Sequence, residues 1–381
     1  MFYKVPKGYS EKKAKTILDE VQNVESDNVK AENVIIIMNE SFSDLRVIND
    51  QIISDEYMPN IDALQENTIK GNLYVPVFGS GTCNSEFEVL AGVSTAITPP
   101  TPYVTAINAA TDSLCWYYRE NGFQTYAFHP YMIENWNRKN AYPLLGFQNI
   151  YDQSQMENIE YEGVWPSDLS DYKKVISLYE QNGDDPFFMF NVTIQNHGGY
   201  DYEYTDKSVD LSKYGNFEEA ENYLSLIKQS DAAFAELIEY FKKVKEPTLI
   251  CMFGDHQPAL GDDFYKLLYG KDIEDLSQTE KNKMYITPFI IWTNYDIREE
   301  HVDRISSNFL GDLILKTSGQ NLEGFDAFNY SVSEKYPVVS NGWVYDQEGE
   351  IYTEDEIEQN MGDDLLKKYQ MVEYYRMHNN N

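Results

Sequence analysis

The sequence has few cysteines, few basic residues and no long hydrophobic run, and each shortage excludes a class of protein. Cys83, Cys115 and Cys251 are spread through 381 residues without a C-x-x-C pair, so a disulfide framework is excluded. The longest aliphatic run, 34–38, is far shorter than the about 20 residues that cross a bilayer, and no signal-peptide pattern opens the chain. Lys and Arg number 30 against 63 Asp and Glu, which gives a net charge of −33. Such a surface repels nucleic acid and anionic lipid headgroups, so nucleic-acid binding is not expected.

The remaining composition is that of a folded globular protein. Hydrophobic residues make up 42% of the chain and charged residues 24%, close to the average for folded domains. The length exceeds the usual size of one domain. We therefore expect a large core over residues 31–319 and a smaller C-terminal lobe over residues 320–381. Residues 1–30 are polar and charged, which indicates a linker or a short helix that leads into the core.

Short apolar runs alternate with helical patterns from residue 33 to about residue 315, which predicts an α/β fold with a mostly parallel central sheet flanked by helices. The runs are nearly all apolar, as expected of strands covered on both faces. The predicted strands are 33–38, 71–78, 123–129, 186–194, 247–253 and 286–293. The predicted helices are 83–92, 113–121, 168–181, 217–243 and 301–317. In the C-terminal lobe, YPVVS and NGWVYD predict strands and the acidic stretch 353–377 predicts a helix.

Polar side chains follow the predicted strands. Glu40 follows the first strand, His129 ends the third, His197 follows the fourth, and Asp255 and His256 follow the fifth. Ligands of open α/β sheets bind beyond the carboxyl ends of the strands. Three of only five histidines occupy such positions, so we expect a functional site at this edge of the sheet.

The segment GSGTCNSEFEVLAG, residues 79–92, places a hydroxyl at the start of a helix. Gly79 and Gly81 permit a tight turn whose amides approach an anion, and Thr82 then lies where a helix N-terminus favours negative charge. A simpler alternative is that Thr82 caps the helix, with Glu86 near the capping-box position. Cys83 lacks the C-x-P-x-R context in which sulfatases oxidise a cysteine, so we expect a small buried thiol.

Glu40, Asp255 and His256, together with the Thr82 oxygen, form a candidate metal-ligand set. Two carboxylates, an imidazole and a hydroxyl suit Mn²⁺, Mg²⁺ or Zn²⁺. Taken singly, Glu40 could be a solvated loop residue and Asp255-His256 a turn before Pro258. The joint pattern favours the metal site.

A second group of side chains suits the binding of phosphate. His129, His197, Trp136 and Arg138 would supply imidazoles, an aromatic wall and a guanidinium fork. Gly198 and Gly199 after His197 let the backbone pass close to a bound group. The alternatives are that Trp136 is a core residue and that Arg138 is a surface salt-bridge partner of little energetic weight.

The order of five motifs resembles the extracellular domain of lipoteichoic acid synthases and related phosphoglycerol transferases, within the alkaline phosphatase and sulfatase superfamily. The motifs are MNESFSD, GTCNSEFEVLAG, NWNR, NHGGY and GDHQP, and they span about residues 31 to 295. The resemblance implies an alkaline phosphatase-like fold and a domain that hangs outside the bacterial cell from N-terminal transmembrane helices. Residues 1–30 would then be a linker from an upstream membrane anchor.

The resemblance also implies roles for individual residues. It makes Glu40, Thr82, Asp255 and His256 the ligands of one divalent ion, usually Mn²⁺, and Thr82 the nucleophile. His129, Trp136, Arg138 and His197 would line the substrate pocket. This sequence departs from the family at Tyr131, where well-known members carry Asp. The resemblance therefore does not predict which contact this position makes with glycerol or with the acceptor.

The predicted function is a metal-dependent transfer of glycerophosphate from a phosphatidylglycerol-like lipid to a surface polymer, glycolipid or glycan through a covalent Thr82 intermediate. Either His129 or His197 would protonate the leaving alkoxide and later deprotonate the acceptor. The alternatives are a phosphodiesterase or phosphatase, a phosphoethanolamine transferase, and a non-catalytic surface domain that binds glycan or protein.

Overall fold

The computed structural model describes residues 5–53, 57–202, 204, 207–340, 342–353, 356 and 364–378, and its helices and strands are given for that part of the chain. The strands are β1 (Asn33–Asn39), β2 (Thr68–Tyr74), β3 (Gln124–His129), β4 (Asn149–Asp152), β5 (Tyr161–Glu162), β6 (Trp165–Pro166), β7 (Phe187–Val192), β8 (Thr248–Gly254), β9 (Ile286–Thr293), β10 (Glu300–Ser306), β11 (Val338–Ser340), β12 (Trp343–Tyr345) and β13 (Ile351–Thr353). The helices are α1 (Glu11–Glu20), α2 (Pro59–Ala63), α3 (Thr82–Ala91), α4 (Pro102–Thr105), α5 (Leu114–Glu120), α6 (Arg138–Leu144), α7 (Asp168–Asn182), α8 (Glu218–Phe241), α9 (Asp262–Tyr269), α10 (Gln278–Asn282), α11 (Ser307–Thr317), α12 (Gly324–Lys335) and α13 (Asp364–His378).

Eight strands form the central sheet in the order β10-β2-β9-β8-β1-β7-β3-β4. Strands β8, β1, β7, β3 and β4 are mutually parallel, and β9 runs antiparallel to both of its neighbours. The parallel strands β1, β3, β7 and β8 therefore end at one edge of the sheet, where ligands of α/β folds bind. The predicted mostly parallel α/β fold is confirmed.

Helices cover both faces of the sheet. Alternate side chains of each strand point to opposite faces, so an entirely apolar strand places apolar side chains on both faces, and the helices bury them. In β1, Val34, Ile36 and Met38 pack into a core with α3, α5, α11, α12 and α13. Ile35 and Ile37 pack on the other face with α2, α7, α8 and α9. All seven residues of β1 are buried, which explains its uninterrupted apolar sequence.

The six predicted strands are found, and β9 has the predicted bounds. Strand β2 ends at Tyr74, so the predicted segment 71–78 is displaced, and the residues that follow Tyr74 form the loop toward α3. The predicted helix 301–317 is wrong over its first part, where β10 runs at the edge of the sheet and only 307–317 is helical. Within the predicted acidic helix 353–377, positions 354, 355 and 357–363 lie outside the described residues. Helix α13 occupies 364–377, whereas Thr353 ends strand β13, so the predicted helix begins too early.

The C-terminal segment contributes to the main core and also forms its own small sheet. Strands β11, β12 and β13 make an antiparallel sheet, whereas side chains of α12 and α13 join the core of the large sheet. Helix α1 packs against α13, and Val24 pairs with Leu322. The lobe boundary at residue 319 stays a prediction, since apolar residues on both sides of it share one core. None of the described helices is both long enough and apolar enough to cross a bilayer.

Candidate active site at the carboxyl edge of the sheet

A cavity of about 440 Å³ opens at the carboxyl ends of the parallel strands. Seven of the eight side chains predicted from the sequence line it, namely Glu40, Thr82, His129, Trp136, Arg138, His197 and His256. The eighth, Asp255, is fully buried, and its Oδ2 lies 3.4 Å from Nε2 of His256. The fold therefore gathers residues that are more than two hundred positions apart in the sequence.

Glu40, Asp255 and His256 form a buried cluster at the floor of this cavity. One possible ligand atom from each lies within 4.8 Å of the others, and Nε2 of His256 is 3.6 Å from Oε1 of Glu40. Burial and the neighbouring Glu40 raise the pKa of Asp255 to about 6. Although burial acts in the opposite direction, the carboxylates of Asp255 and Glu40 raise the pKa of His256. Two buried acids this close repel each other, so the cluster favours a positive charge between them.

The donor atoms of the cluster fit a divalent cation. Nδ1 of His256 lies 3.0 Å from the Gln257 carbonyl, which directs the Nε2 lone pair toward the two acids. Oδ2 of Asp255 is buried and has no hydrogen-bond partner among the described residues. A buried carboxylate oxygen left in this way is unfavourable, and coordination to a cation would satisfy it. The mixed oxygen and nitrogen set suits Mn²⁺, Mg²⁺ or Zn²⁺.

The two loops that carry this cluster are held in contact by backbone interactions. Gly254, at the end of β8, approaches the Phe42 carbonyl so closely that a Cβ would lie 1.8 Å from its oxygen. The backbone N–H of Ser41 donates to Oδ1 of Asp255 at 2.7 Å, and the Ser85 hydroxyl donates to the Asp255 carbonyl at 2.5 Å. The positions of the ligand atoms thus depend on a glycine that the sequence analysis did not single out.

Thr82 is the first residue of α3, and Gly81 before it adopts a left-handed conformation with φ 96°. Gly81 occupies the cap position, where no side chain bonds the helix end. The alternative prediction that Thr82 caps the helix is therefore wrong. The Thr82 side chain is buried and places Oγ1 3.5 Å from Oε2 of Glu40. The hydroxyl thus faces the acidic cluster across the floor of the cavity.

Arg138 begins α6 and is fully buried, so the alternative that it is a surface salt-bridge partner is wrong. Its Nε and Nη2 donate to Oε2 of Glu86 at 3.0 and 2.9 Å. Glu86 is also fully buried, one turn after Thr82 on α3. Arg138 is the one Lys or Arg among the described residues that line the cavity. The ion pair fixes the orientation of the guanidinium that a bound phosphate would meet.

His129 ends β3 and is almost fully buried. Its Nδ1 lies 2.9 Å from the Val192 carbonyl, and burial together with the nearby Arg138 lowers its pKa to about 3. The imidazole is therefore neutral near pH 7, with the proton on Nδ1 and a free lone pair on Nε2. Such a ring accepts a hydrogen bond or a proton from a hydroxyl and has none to give at Nε2.

An aromatic wall closes one side of the cavity, and the sequence analysis missed its central residue. Trp165, in β6, has its ring centroid 4.8 Å from that of His197 and 5.4 Å from that of Tyr131. Tyr131 in turn lies edge-on to His129 at 6.4 Å. Trp136 is 38% exposed at the cavity, so the alternative that it is a core residue is wrong. A two-residue strand such as β6 has no periodicity from which Trp165 could have been found.

A buried polar network supports the loops that carry Glu40 and His197. Asn39 donates to Asp168 at 2.7 Å, and Asn196 donates to Asn39 at 2.8 Å. The hydroxyl of Ser230 donates to Asp168 at 2.6 Å. Because buried networks of this kind fix side-chain positions, Asn39 and Asn196 hold the backbone of their reactive neighbours.

A second, larger groove of about 950 Å³ adjoins the cavity. Asp201 and Glu219 line both. Further along, the groove is lined by Glu218, Asp262, Asp263, Lys266 and the rings of Phe217 and Phe264. An acidic, partly aromatic path thus leads away from the cluster at the cavity floor.

Comparison with known proteins identifies the family. Residues 32–319, more than half of the chain, match the family model described as Sulfatase. A cyclic beta-1,2-glucan modification protein of Rhizobium meliloti is 31% identical over 317 residues, which are 81% of this chain and 49% of that protein. A lipoteichoic acid synthase of Staphylococcus aureus is 22% identical over 318 residues, which are 79% of this chain and 46% of that protein. The chain spans about half the length of the curated relatives it matches.

Solved structures share the fold over nearly the whole chain. Phosphoglycerol transferase GacH of Streptococcus pyogenes, in complex with sn-glycerol-1-phosphate, has a TM-score of 0.73 at 21% identity, covering 98% of this chain and 95% of that one. The lipoteichoic acid synthase LtaP of Listeria monocytogenes has a TM-score of 0.68 at 19% identity, with coverages of 95% and 96%. The C-terminal periplasmic domain of EcEptC from Escherichia coli, in complex with Zn, has a TM-score of 0.61 at 17% identity, with coverages of 88% and 96%. The predicted resemblance is confirmed at the level of family and fold.

Proposed function

Because the chain belongs to the sulfatase family, we propose that it is a metal-dependent phosphotransferase that moves glycerophosphate from a phosphatidylglycerol-like lipid to a surface glycan or polymer. The proposal rests mainly on the convergence of reactive side chains at one cavity. A hydroxyl, three imidazoles, a guanidinium and two carboxylates, from distant parts of the chain, lie in or directly beneath one cavity. We place this activity at the extracellular face of a bacterial membrane, with residues 1–30 as the link to an anchor and residues 31–319 as the catalytic domain.

Glu40, Asp255 and His256 would hold the cation, for which Mn²⁺ is our first choice, and Thr82 Oγ1 would complete the set. When bound, a divalent cation lowers the pKa of a coordinated hydroxyl and neutralises charge on a phosphodiester. The remaining roles fall to side chains of the protein. Arg138, oriented by Glu86, would bind the nonbridging phosphate oxygens through the N–H groups that Glu86 leaves free.

In the first step, Oγ1 of Thr82 forms a bond to phosphorus, and the bond from phosphorus to the diacylglycerol oxygen breaks. Thr82 loses its proton to solvent water, the departing oxygen gains one from a protein side chain, and glycerophosphate stays on Thr82. We assign the proton donation to His197, because the neutral ring of His129 has no proton at Nε2. His129 would instead accept a hydrogen bond from a glycerol hydroxyl.

In the second step, an acceptor hydroxyl attacks the same phosphorus and the bond to Thr82 breaks. His197 takes the acceptor proton and Thr82 regains a proton from solvent water, so atoms and charge balance over the cycle. The wall of Trp165 and Tyr131 beside His197 would limit access of water. That exclusion favours transfer over hydrolysis.

The second groove supports a choice of acceptor. Its acidic lining would repel a growing glycerophosphate polymer, which carries a negative charge in each unit. Carboxylates and aromatic rings suit the hydroxyls and flat faces of an uncharged sugar. We therefore propose a neutral glycan as the acceptor, and competition between a neutral oligosaccharide and glycerophosphate oligomers for the transferred group tests this choice.

The central test is the fate of phosphatidylglycerol with the wild type, Thr82→Ala and Thr82→Ser. We expect diacylglycerol release by the wild type, none by Thr82→Ala, and slow release by Thr82→Ser, which keeps a hydroxyl. Mass spectrometry of the acid-quenched wild type should find glycerophosphate on the peptide that contains Thr82. Near-normal release by Thr82→Ala would contradict the proposal. Preference for phosphatidylethanolamine would favour a phosphoethanolamine transferase, and free glycerophosphate as the main product would favour a phosphodiesterase.

A further inference from the structure

Large apolar side chains that face solvent are concentrated near the mouth of the cavity. Eight are strongly exposed among the described residues, and two of these, Val5 and Val29, lie near the start of the chain. We call the other six the apolar rim: Val104, Met132, Trp136, Tyr161, Val164 and Tyr202. Scattered apolar residues are normal on a protein surface, whereas a group around a site marks an interaction surface.

Three members of the apolar rim are direct neighbours of residues that line the cavity. Met132 follows Tyr131, Val164 precedes Trp165, and Tyr202 follows Asp201. Trp136 lines the cavity itself. The main chain at these four positions therefore lies at or directly beside the lining of the cavity.

Hydrogen bonds tie the remaining two members to the same mouth. The side chain of Asn137, next to Trp136, donates to the carbonyl of Tyr103 at 2.7 Å, which anchors the short helix that carries Val104. The Gln153 side chain donates to the Tyr161 hydroxyl at 3.3 Å, while its backbone N–H bonds the carbonyl of Tyr131 at 3.5 Å. The apolar rim thus comes from four chain segments that meet around one opening.

The chemistry of the donor indicates what would cover the apolar rim. The phosphodiester of a lipid lies at the membrane surface and its diacylglycerol part stays in the membrane, so the cavity must touch that surface to reach it. A net charge of −33 offers no attraction to anionic headgroups. Trp and Tyr favour the interface between headgroups and acyl chains. Transfer of Val and Met side chains from water into that interface is also favourable.

We propose that the apolar rim docks the cavity mouth onto a lipid surface by shallow insertion of its side chains between headgroups. The proposal rests on the proposed function for the lipid donor. It excludes a protein as the primary occupant of this surface. It also predicts an unusual response to salt, because screening weakens the repulsion between the acidic protein and an anionic membrane and so strengthens binding.

The first experiment measures cosedimentation with vesicles of phosphatidylcholine that contain a minority of phosphatidylglycerol. The test variants are Val104→Glu, Met132→Glu and Val164→Glu, singly and combined, and the matched control is Val29→Glu. Val29 is 49% exposed, close to Val164 at 45% and Met132 at 51%, but it precedes the start of β1, whereas the cavity opens beyond the carboxyl end of that strand. We expect binding to weaken on the order of tenfold for each rim substitution and to stay unchanged for Val29→Glu. Absence of wild-type binding, or equal binding by the combined variant, would overturn the proposal.

The second experiment separates docking from chemistry. The same variants are assayed with phosphatidylglycerol in vesicles and with a water-soluble aryl phosphodiester of glycerol. We expect the combined variant to lose turnover of the vesicle substrate by at least tenfold and to keep turnover of the soluble one. Equal loss on both substrates would assign the rim to structure and refute docking. If the wild type turns over neither substrate, the proposed function fails, while the vesicle-binding comparison still decides the docking proposal.

Discussion

The buried carboxyl of Glu373 provides a stability prediction that does not depend on catalysis. Glu373, on α13, is fully buried and accepts a hydrogen bond from the backbone N–H of Ser94 at 2.7 Å. Burial raises its pKa to about 8, against an ordinary value of 4.5. The folded protein therefore holds a proton at this site between those two pH values, and the unfolded chain does not.

Because the folded and unfolded states bind different numbers of protons, the free energy of unfolding depends on pH. Wherever the folded state binds one more proton, the free energy of unfolding falls by about 1.4 kcal/mol per pH unit as the pH rises. The stabilisation from this group is complete below its unfolded pKa and is lost as the pH rises toward its folded pKa. Between about pH 5.5 and about pH 7.5, this single group removes about 2.7 kcal/mol.

The substitution Glu373→Gln tests that magnitude, because the amide oxygen can still accept the bond from Ser94 while the group no longer ionises. We expect the stability of the variant relative to the wild type to rise by about 1.4 kcal/mol per pH unit across this window. Urea denaturation followed by circular dichroism at several pH values measures it. Glu236→Gln, an exposed substitution on α8, is the control and should show no such slope. Parallel stability profiles for the wild type and Glu373→Gln would refute the reasoning.

Three further predictions concern the site. Gly254→Ala should cost about 1–3 kcal/mol of stability and weaken Mn²⁺ binding at least tenfold by calorimetry, because the new Cβ would overlap the Phe42 carbonyl. The control is Gly198→Ala, where a Cβ meets nothing within 4 Å. Equal Mn²⁺ affinities of the two variants would contradict the prediction. Glu86→Gln should lower the free energy of unfolding by about 3–5 kcal/mol, since it leaves the buried Arg138 without its carboxylate partner. A double-mutant cycle with Arg138→Gln measures the coupling between the two side chains, and an absence of coupling would argue against this prediction. Mn²⁺ at about a hundredfold excess over its Kd should raise the free energy of unfolding by about 2.7 kcal/mol. Removal of the metal by a chelator should abolish turnover. Activity that survives exhaustive chelation would exclude the metal role.

The sequence alone was enough to predict the fold class, because buried parallel strands have uninterrupted apolar sequences. Strand β9, although antiparallel to both of its neighbours, is also buried almost throughout, and it was predicted with its observed bounds. Strand β10 was mistaken for part of a helix because it lies at the sheet edge and is largely exposed, so its sequence EHVDRIS carries little apolar signal. Strand-end positions likewise identified Glu40, Asp255 and His256 as possible ligands, since their place in the chain follows from the sheet.

Only the tertiary structure decided how these side chains are used. Whether Thr82 caps its helix or faces Glu40 depends on the left-handed backbone at Gly81, and local sequence permits both. The pairing of Arg138 with Glu86 and the placement of Trp165 beside His197 join segments between 30 and 60 residues apart. The sequence by itself determined which strands are buried and which reactive groups follow them, since both depend on local order along the chain. Distances, desolvation and the protonation of His129 arise from contacts between remote segments, and only the folded chain brings those segments together.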